Sequence, residues 1–383
     1  MSNAPAHPQG LAGRLTVDLG AIVKNWRALG RVSPGALTAA VVKADAYGTG
    51  LAPTATALAE AGAQFFFVAT PDEGLRLRQV LPDVHVFVLN GLYPGATDFY
   101  LAHKLMPVLS SVPMLEEWMD VCVAHNEAFP AALHFDTGMN RLGFRLSDTA
   151  LVRDRLSEFG YLPQMVMSHL ACADQPSHEK SRTQLALFQT VLAQFPGIPA
   201  SLANSAGLMS NRDFHFQMVR PGIAVYGGRA IGGRPNPMAH AITLEVPVLQ
   251  VRSARTGETV GYGATHSVDK ESRIATIALG YADGFFRHLG ASSTKTGGRI
   301  AFGGRVLPVM GRISMDLVTV DVTELGDALP RPGDFMEVLG PHISVDEQAD
   351  AAGTIGYEVL TSLKQGRYER VYLDPAEHGH AEG

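Results

Sequence analysis

Ala39-Ala-Val-Val-Lys43-Ala-Asp-Ala-Tyr47-Gly-Thr-Gly50 decides the fold. An apolar run of strand length ends in a lysine, and a turn punctuated by glycines follows, which is how a βα unit opens. Similar runs recur on both sides: LTVDL at 15, LTAAVVK at 37, FFFVA at 65, VHVFVLN at 84, LMPVLS at 105, AALHFD at 131, PQMVMSHL at 163, and the pair IPASLAN and MVRPGIAVY. Longer segments of helical spacing separate them. This alternation predicts an α/β chain whose N-terminal part, residues 14–242, is a (β/α)8 TIM-type barrel.

Past Tyr226 the texture changes. After the stretch GGRAIGGRPNP come AITLEVPVLQVRSA, RIATIALGY, GRIAFGGRVLPVMGRISMDLVTVDVT and DFMEVLG, strand-like runs joined by Gly, Asp and Asn turns. They predict a mostly-β C-terminal domain over residues 243–383, with a brief helical return between Ser344 and Thr361. The opening MSNAPAHPQGLAGR has no basic start followed by an apolar core, so it reads as a disordered lead over residues 1–13 with no export signal.

Composition narrows the function. The net charge of -6 is modest and the basic residues are scattered, which excludes a nucleic-acid-tracking stripe. No apolar run is long enough for a bilayer, so no membrane partner is expected. Only Cys122 and Cys172 are present; a disulfide framework is therefore not expected, and a cytoplasmic setting is.

In a TIM barrel the chemistry gathers where strands end. Lys43 lies at such an end, where partial desolvation leaves some neutral amine for a Schiff base; the same position equally suits a lysine snorkelling to water. Arg141, in His134-Phe-Asp-Thr-Gly-Met-Asn-Arg141, could grip a carboxylate or be an ordinary surface arginine. His169 ends the next run, where a lone histidine is more often structural. Asn204 and Ser205 sit at a helix start, suited to a phosphate or simply to capping. Arg220-Pro-Gly222-Ile223 adds a cation and a glycine that permits close approach. In the β domain, Tyr262, Tyr281, Arg312, Met315 and Tyr357 stand beside glycines, where packing is the usual role of an aromatic.

These residues resemble the alanine racemase family from about Leu15 to Tyr372. K-A-D-A-Y-G at 43, D-T-G-M-N-R-L-G at 136, A-N-S-A at 203, R-P-G-I at 220, G-Y-G at 261, G-Y-A-D-G at 280, G-R-I-S-M-D at 311 and T-I-G-Y-E at 354 follow family order. The resemblance implies a fold-type III pyridoxal 5'-phosphate enzyme working as a head-to-tail homodimer with shared sites. Its substrate would be alanine, interconverted between L and D forms to supply peptidoglycan or to feed catabolism, and no metal is called for. By the same resemblance Lys43 carries the cofactor and is one acid/base group, and Tyr262 from the partner is the other. Tyr47, Ser205, Gly222, Ile223 and Tyr357 would hold the phosphate with Asn204 nearby, His169 would pack on the ring, and Arg220 would face its nitrogen. Arg141 and the backbone of Met315 from the other subunit would bind the substrate carboxylate; Asp174, Tyr281, Arg287 and Arg312 would line the entrance.

Two departures from the family pattern stand out. Many relatives carry a carbamylated lysine where this chain has His134, so an anion, a water or His134 itself is expected to orient Arg141. Thr49 replaces a frequent histidine, with a minor effect expected. Three rival readings are a decarboxylase of the same fold, disfavoured because both cysteines precede residue 173; a broader racemase acting on serine, for example; and a non-catalytic carrier of the cofactor, disfavoured by the extra domain and Tyr262.

Overall fold

The computed structural model describes residues 13–363 and 366–374. The expected lead over residues 1–13 lies, apart from Gly13, outside the described residues. The chain divides into two compact units: Ile22–Ala239, and a second that joins the described residues up to Ala21 to those from His240 onward.

In chain order the strands up to residue 219 are β1 (Gly13–Asp18), β2 (Leu37–Thr38), β3 (Ala40–Val41), β4 (Phe65–Val68), β5 (His85–Val88), β6 (Met106–Leu109), β7 (Ala132–His134), β8 (Met165–Met167), β9 (Ala200–Ser201) and β10 (Met218–Val219). From β3 to β9 they form one parallel sheet in sequence order. β10 pairs in parallel with β2, in register Met218 to Leu37. Its flanks also bond to the β9 region, Gln217 N–H to the Ala200 carbonyl at 3.1 Å and Arg220 N–H to the Ala203 carbonyl at 2.9 Å. Since β2 and β3 are one strand interrupted at Ala39, these bonds close an eight-stranded barrel.

The barrel strands are buried on both faces, which is why they read as continuous apolar runs instead of alternating ones. Phe66, Val68, Val86, Val88, Val108, Leu133 and Val166 are all fully buried. The unit's two ends are tied by Asn25, whose amide donates to the Ala239 carbonyl at 2.9 Å and whose oxygen accepts from the Ala239 N–H at 2.7 Å.

LTVDL at 15 is not a barrel strand. It forms β1, pairing antiparallel with β11 (Ile242–Ala254) and parallel with the last strand, in register Leu15 to Leu244 and Leu15 to Arg370. The physical reason is its alternation of buried and half-buried residues, the pattern of a sheet covered on one face. The eighth barrel strand comes from IPASLAN and MVRPGIAVY, which supply two strands. The sequence-based domain limits at 14 and 243 thus differ from the observed division at Ile22 and His240.

In the second unit, β12 (Thr259–Val260) and β13 (His266–Ser267) make a small hairpin. β14 (Ser272–Ile277), β15 (Arg299–Phe302), β16 (Arg305–Pro308), β17 (Val318–Asp321), β18 (Phe335–Leu339) and β19 (Tyr368–Leu373) complete the set. The main sheet runs β16-β15-β18-β11-β1-β19, and β14 joins β11 to β17. The long β11 serves two sets of partners because its register shifts between Val248 and Gln250. The helical return is two short helices, Val345–Ala352 and Gly356–Ser362, the first opened by a capping box of Ser344 and Glu347.

Candidate active site

Lys43 stands one residue, Val42, beyond β3, and the backbone then does something that the sequence does not announce. Ala44, Asp45, Ala46 and Tyr47 all have positive φ, between 52° and 56°, making one turn of left-handed helix. Each such residue costs about 1–2 kcal/mol, so the neighbourhood must over-determine the turn. Asp45 accepts from the Leu51 N–H at 2.9 Å, and the Thr49 hydroxyl donates to the Ala46 carbonyl at 2.6 Å. Tyr47 stacks on Tyr226 with ring centroids 4.6 Å apart. Tyr226 in turn donates to the Val41 carbonyl at 2.8 Å.

The turn delivers Tyr47 to a cup made by the chain segments that follow β9 and β10, the strands that close the barrel against β2. A Cβ on Gly222 would lie 2.2 Å from the Tyr47 hydroxyl, so glycine is required for this approach. The Ser205 hydroxyl accepts from the Gly222 N–H at 2.8 Å and from the Ala224 N–H at 3.4 Å. Asn204 caps the helix Ser205–Ser210, accepting from the Gly207 N–H at 2.9 Å, and Ile223 opens a 3-10 turn. Two helical N-termini and two hydroxyls therefore converge, the donor set of a phosphate site.

Next to the cup lies a buried polar array. Arg220, 4% exposed, donates to the Ser168 carbonyl at 2.7 Å, bonds to the Ser201 hydroxyl, and stands 3.4 Å from Nδ1 of His169. Burial pulls its guanidinium down to about 9, which still leaves it cationic at neutral pH. Burial first, then the charges of Arg220 and Arg141, hold His169 well below its ordinary value. Gln184 braces the His169 segment, donating to its carbonyl at 2.9 Å and to Thr137 at 3.2 Å.

Arg141 is aimed by a loop that Asp136 folds around itself. The Asp136 carboxylate accepts from the N–H groups of Gly138, Met139 and Asn140, each at 2.8 Å. Gly143 lets the chain return, since a Cβ there would sit 2.5 Å from the Asp136 nitrogen. Burial, then the guanidinium of Arg141, lowers the Lys43 ammonium, while Glu73 opposes them. Lys43, Arg141 and Arg220 are thus three cations in a mouth where the Asp136 and Glu73 carboxylates are spent on backbone. Such a pocket fits a ligand bearing a phosphate and a carboxylate.

His134 occupies the end of β7, 8% exposed. Burial first and then Arg220 push it down to about 4, with Asp136 opposing. It is therefore neutral at neutral pH beside Arg141. The unfolded chain takes up a proton below about 6.5 and the native chain does not. Stability should therefore fall as pH drops from about 6.5 to 4, by up to about 3 kcal/mol. Thermal unfolding midpoints across this window check it: His134→Gln should flatten the slope in part, with His169 and His240, both lowered by burial, contributing to what remains.

The other expected residues belong to the second unit. Tyr262 tops the β12–β13 hairpin and is 70% exposed, held by positive φ at Gly261, Gly263 and Ala264. The Arg312 guanidinium packs over Gly263, 2.9 Å from where its Cβ would be. Arg312 and Arg287 line one cavity of about 640 Å³ with Thr265, His288, Ser292 and Lys295. The Met315 carbonyl accepts from the Ala282 N–H at 2.9 Å, which brings the G-R-I-S-M-D and G-Y-A-D-G motifs together beside Tyr281. Asp283 of the latter is structural: it accepts from the Gly280 N–H at 2.8 Å and from Arg367 at 2.6 Å. Tyr357 is half-buried on the helix Gly356–Ser362. Asp174, in the barrel unit, is exposed, and its carbonyl accepts from the Gly232 N–H at 3.0 Å.

Glu73 was not singled out by sequence reasoning. Its signal was there as Thr70-Pro-Asp-Glu73 after FFFVA, a capping box that opens the helix Pro71–Val80. That pattern announces a helix start and says nothing of a second partner, the Ala44 N–H at the end of the neighbouring strand.

With this geometry in place, comparison with known proteins gives one answer. Residues 17–230 match the model of the alanine racemase N-terminal domain and residues 241–372 that of the C-terminal domain. The chain is 45% identical to the alanine racemase of Rhizobium meliloti (strain 1021), covering 95% of this chain and 98% of that protein. It is 46% identical to the biosynthetic alanine racemase of Agrobacterium fabrum (strain C58 / ATCC 33970), over 94% and 93%. Among solved structures, alanine racemase from Bartonella henselae with covalently bound pyridoxal phosphate superposes with a TM-score of 0.89 at 39% identity, over 95% of this chain and all of that one.

Proposed function

We infer, from the premise that the chain belongs to the alanine racemase family, a division of labour in which Lys43 and Tyr262 work on opposite faces of the substrate. The activity is the interconversion of L- and D-alanine, an isomerase reaction that uses pyridoxal phosphate. The observation that carries the residue assignment is the placement of Lys43. It stands at a strand end, half-buried, its ammonium depressed by burial and Arg141, one turn from the Tyr47, Ser205 and Gly222 cup.

The cofactor fits this chain. The cup supplies backbone N–H groups and hydroxyls for its phosphate, Lys43 a neutral amine for its aldehyde, Arg220 a permanent cation for its ring nitrogen. When bound, pyridoxal phosphate supplies an electron sink for charge developing at the substrate Cα. Arg220, cationic at neutral pH, surrenders a proton reluctantly, so it would leave the ring nitrogen unprotonated and temper that sink. Arg141 holds the substrate carboxylate, fixing which bond at Cα faces the bases. Racemisation then requires a proton to leave one face and another to arrive on the opposite face. Lys43 serves one face. Tyr262 serves the other from a second copy of the chain, so the working unit is a head-to-tail homodimer, with Met315 of that copy adding its backbone to the carboxylate site; Tyr357 joins Tyr47, Ser205, Gly222 and Ile223 in holding the phosphate. Asp174, Tyr281, Arg287 and Arg312 line the route in. Asn204 keeps Ser205 in place, and His169 backs the ring.

Among the described residues no helix is long and apolar enough to cross a membrane, and a cytoplasmic location suits the two free cysteines, Cys122 and Cys172. Ile22–Ala239 serves as the cofactor-binding barrel in this reading, and the described residues up to Ala21 with those from His240 onward as the β domain. Polarimetry on purified holoenzyme with L-alanine, L-serine and larger amino acids tests it, together with absorbance near 420 nm. Racemisation confined to alanine, or fastest for it, is expected; none, or preference for a larger side chain, would overturn the substrate assignment. Gly222→Ala should drive a methyl group into the Tyr47 hydroxyl and weaken cofactor retention by about tenfold or more, equivalent to about 1.4 kcal/mol. An absorbance titration of the apoenzyme measures this.

A further inference from the structure

Glu73 is buried, 8% exposed, yet its two oxygens are committed to different parts of the barrel mouth. One accepts from the Ala44 N–H at 2.7 Å. The other accepts from the Ala69 N–H at 2.7 Å and from the Thr70 N–H at 3.4 Å. Ala44 is the first residue of the left-handed turn, and its N–H belongs to the peptide bond with Lys43. Ala69 follows β4 directly. One carboxylate therefore ties the lysine's own peptide to the neighbouring strand end.

We propose that Glu73 is the positioning residue of Lys43: its carboxylate clamps the Lys43-Ala44 peptide at the entry to the left-handed turn and places a fixed negative charge beside the lysine side chain. This rests on the reading of Lys43 as the cofactor lysine and extends it. Two physical arguments support it. A left-handed turn of non-glycine residues is strained throughout, and a charge-assisted bond at its first N–H is stronger than a neutral one. The charge also acts on Lys43 itself. Arg141 and burial favour the neutral amine, and Glu73 favours the ammonium; His169 also lies within electrostatic reach. Glu73 is the negative member of that group, so it works against burial and Arg141 and makes Lys43 give up its proton less readily. Thr70, the other half of the capping box, touches only the helix start: its hydroxyl accepts from the Glu73 N–H at 3.3 Å.

The test uses apoenzyme, pyridoxal phosphate and borohydride. The lysine nitrogen bonds to the aldehyde carbon, the aldehyde oxygen leaves as water, and reduction fixes the link for mapping by mass spectrometry. The rate of fixation against pH gives a midpoint for Lys43. Glu73→Gln should keep the label on Lys43 but move the midpoint down by about one unit, because an opposing charge is lost. In turnover, kcat should fall more than KM rises. Glu73→Asp, charged but shorter, should keep a midpoint near the parent's while losing kcat, and Thr70→Ala should leave the midpoint unchanged. A parental midpoint in Glu73→Gln, or an equal shift in Thr70→Ala, would reduce Glu73 to a helix cap and overturn the proposal. If Glu73→Gln does not fold, a Glu73→Asp variant that keeps the parental kcat, or a Thr70→Ala variant that loses as much kcat as Glu73→Asp, has the same consequence. A label absent from Lys43 in the parent protein would instead sink the Lys43 reading.

Discussion

Tyr262→Phe should lower kcat/KM for L-alanine and for D-alanine by the same factor, about 10²–10⁴. The equality is a requirement of thermodynamics. Enantiomers have equal free energy, so the equilibrium constant is one and the two specificity constants cannot diverge whichever base is damaged. The information about which face each base serves lies elsewhere, in exchange of the α-hydrogen with deuterated water. With Tyr262 disabled, Lys43 can still remove and return a proton on its own face. One enantiomer should then exchange its α-hydrogen with retention of configuration, and the other should not. Mass spectrometry of recovered, chirally separated alanine measures both. Exchange of both enantiomers at comparable rates would remove Tyr262 from the role of base. The exposure of Tyr262 on a hairpin tip, 70%, is what a side chain serving a second copy requires. A base for its own chain would be expected in a buried setting.

How far such residues can be found without coordinates depends on what kind of physics places them. Lys43, Arg141, His169, Ser205 and Arg220 were legible because strand ends in a barrel share one mouth, and strand ends are visible as the close of an apolar run. The buried strands were legible for the same reason, whereas LTVDL at 15 was misplaced although its alternation carried the correct signal. Counting apolar runs overrode reading their period. The left-handed turn at Ala44–Tyr47 had no signal at all. Alanine and tyrosine do not advertise positive φ as glycine does, and the turn exists because of contacts made by Glu73, Tyr226 and Thr49 from elsewhere in the chain. Glu73 was visible only as half of a capping box, since its second bond, to Ala44, spans 29 residues. His134 was read as the place where a modified lysine is absent. Its burial and near neighbours give it a physical character of its own, an imidazole kept neutral between cations.

Lys43→Ala should produce the mirror image of the tyrosine variant and a larger loss. Turnover should fall by about 10⁴-fold or more in both directions, because the change removes a base and the covalent anchor of the cofactor together. Mass spectrometry after borohydride treatment should find no lysine carrying the cofactor. Supplied with pyridoxal phosphate and alanine, the variant should still exchange an α-hydrogen through Tyr262, and for the opposite enantiomer from that seen in Tyr262→Phe. A small primary amine such as methylamine should restore part of the turnover, since the lost group is a neutral amine: Arg141 and Arg220 remain charged and cannot accept a proton, and burial makes the neutral imidazoles of His134 and His169 poor bases. If the same enantiomer exchanged in both variants, two bases on opposite faces would be untenable, and a single group reaching both faces would have to take their place. If Lys43→Ala retained parental turnover, the amine near the cup would be incidental, and the strained turn behind it would have lost its purpose. The crossed pattern follows from the proposed division of labour, in which Lys43 and Tyr262 serve opposite faces of one carbon atom. Neither can do the work of the other.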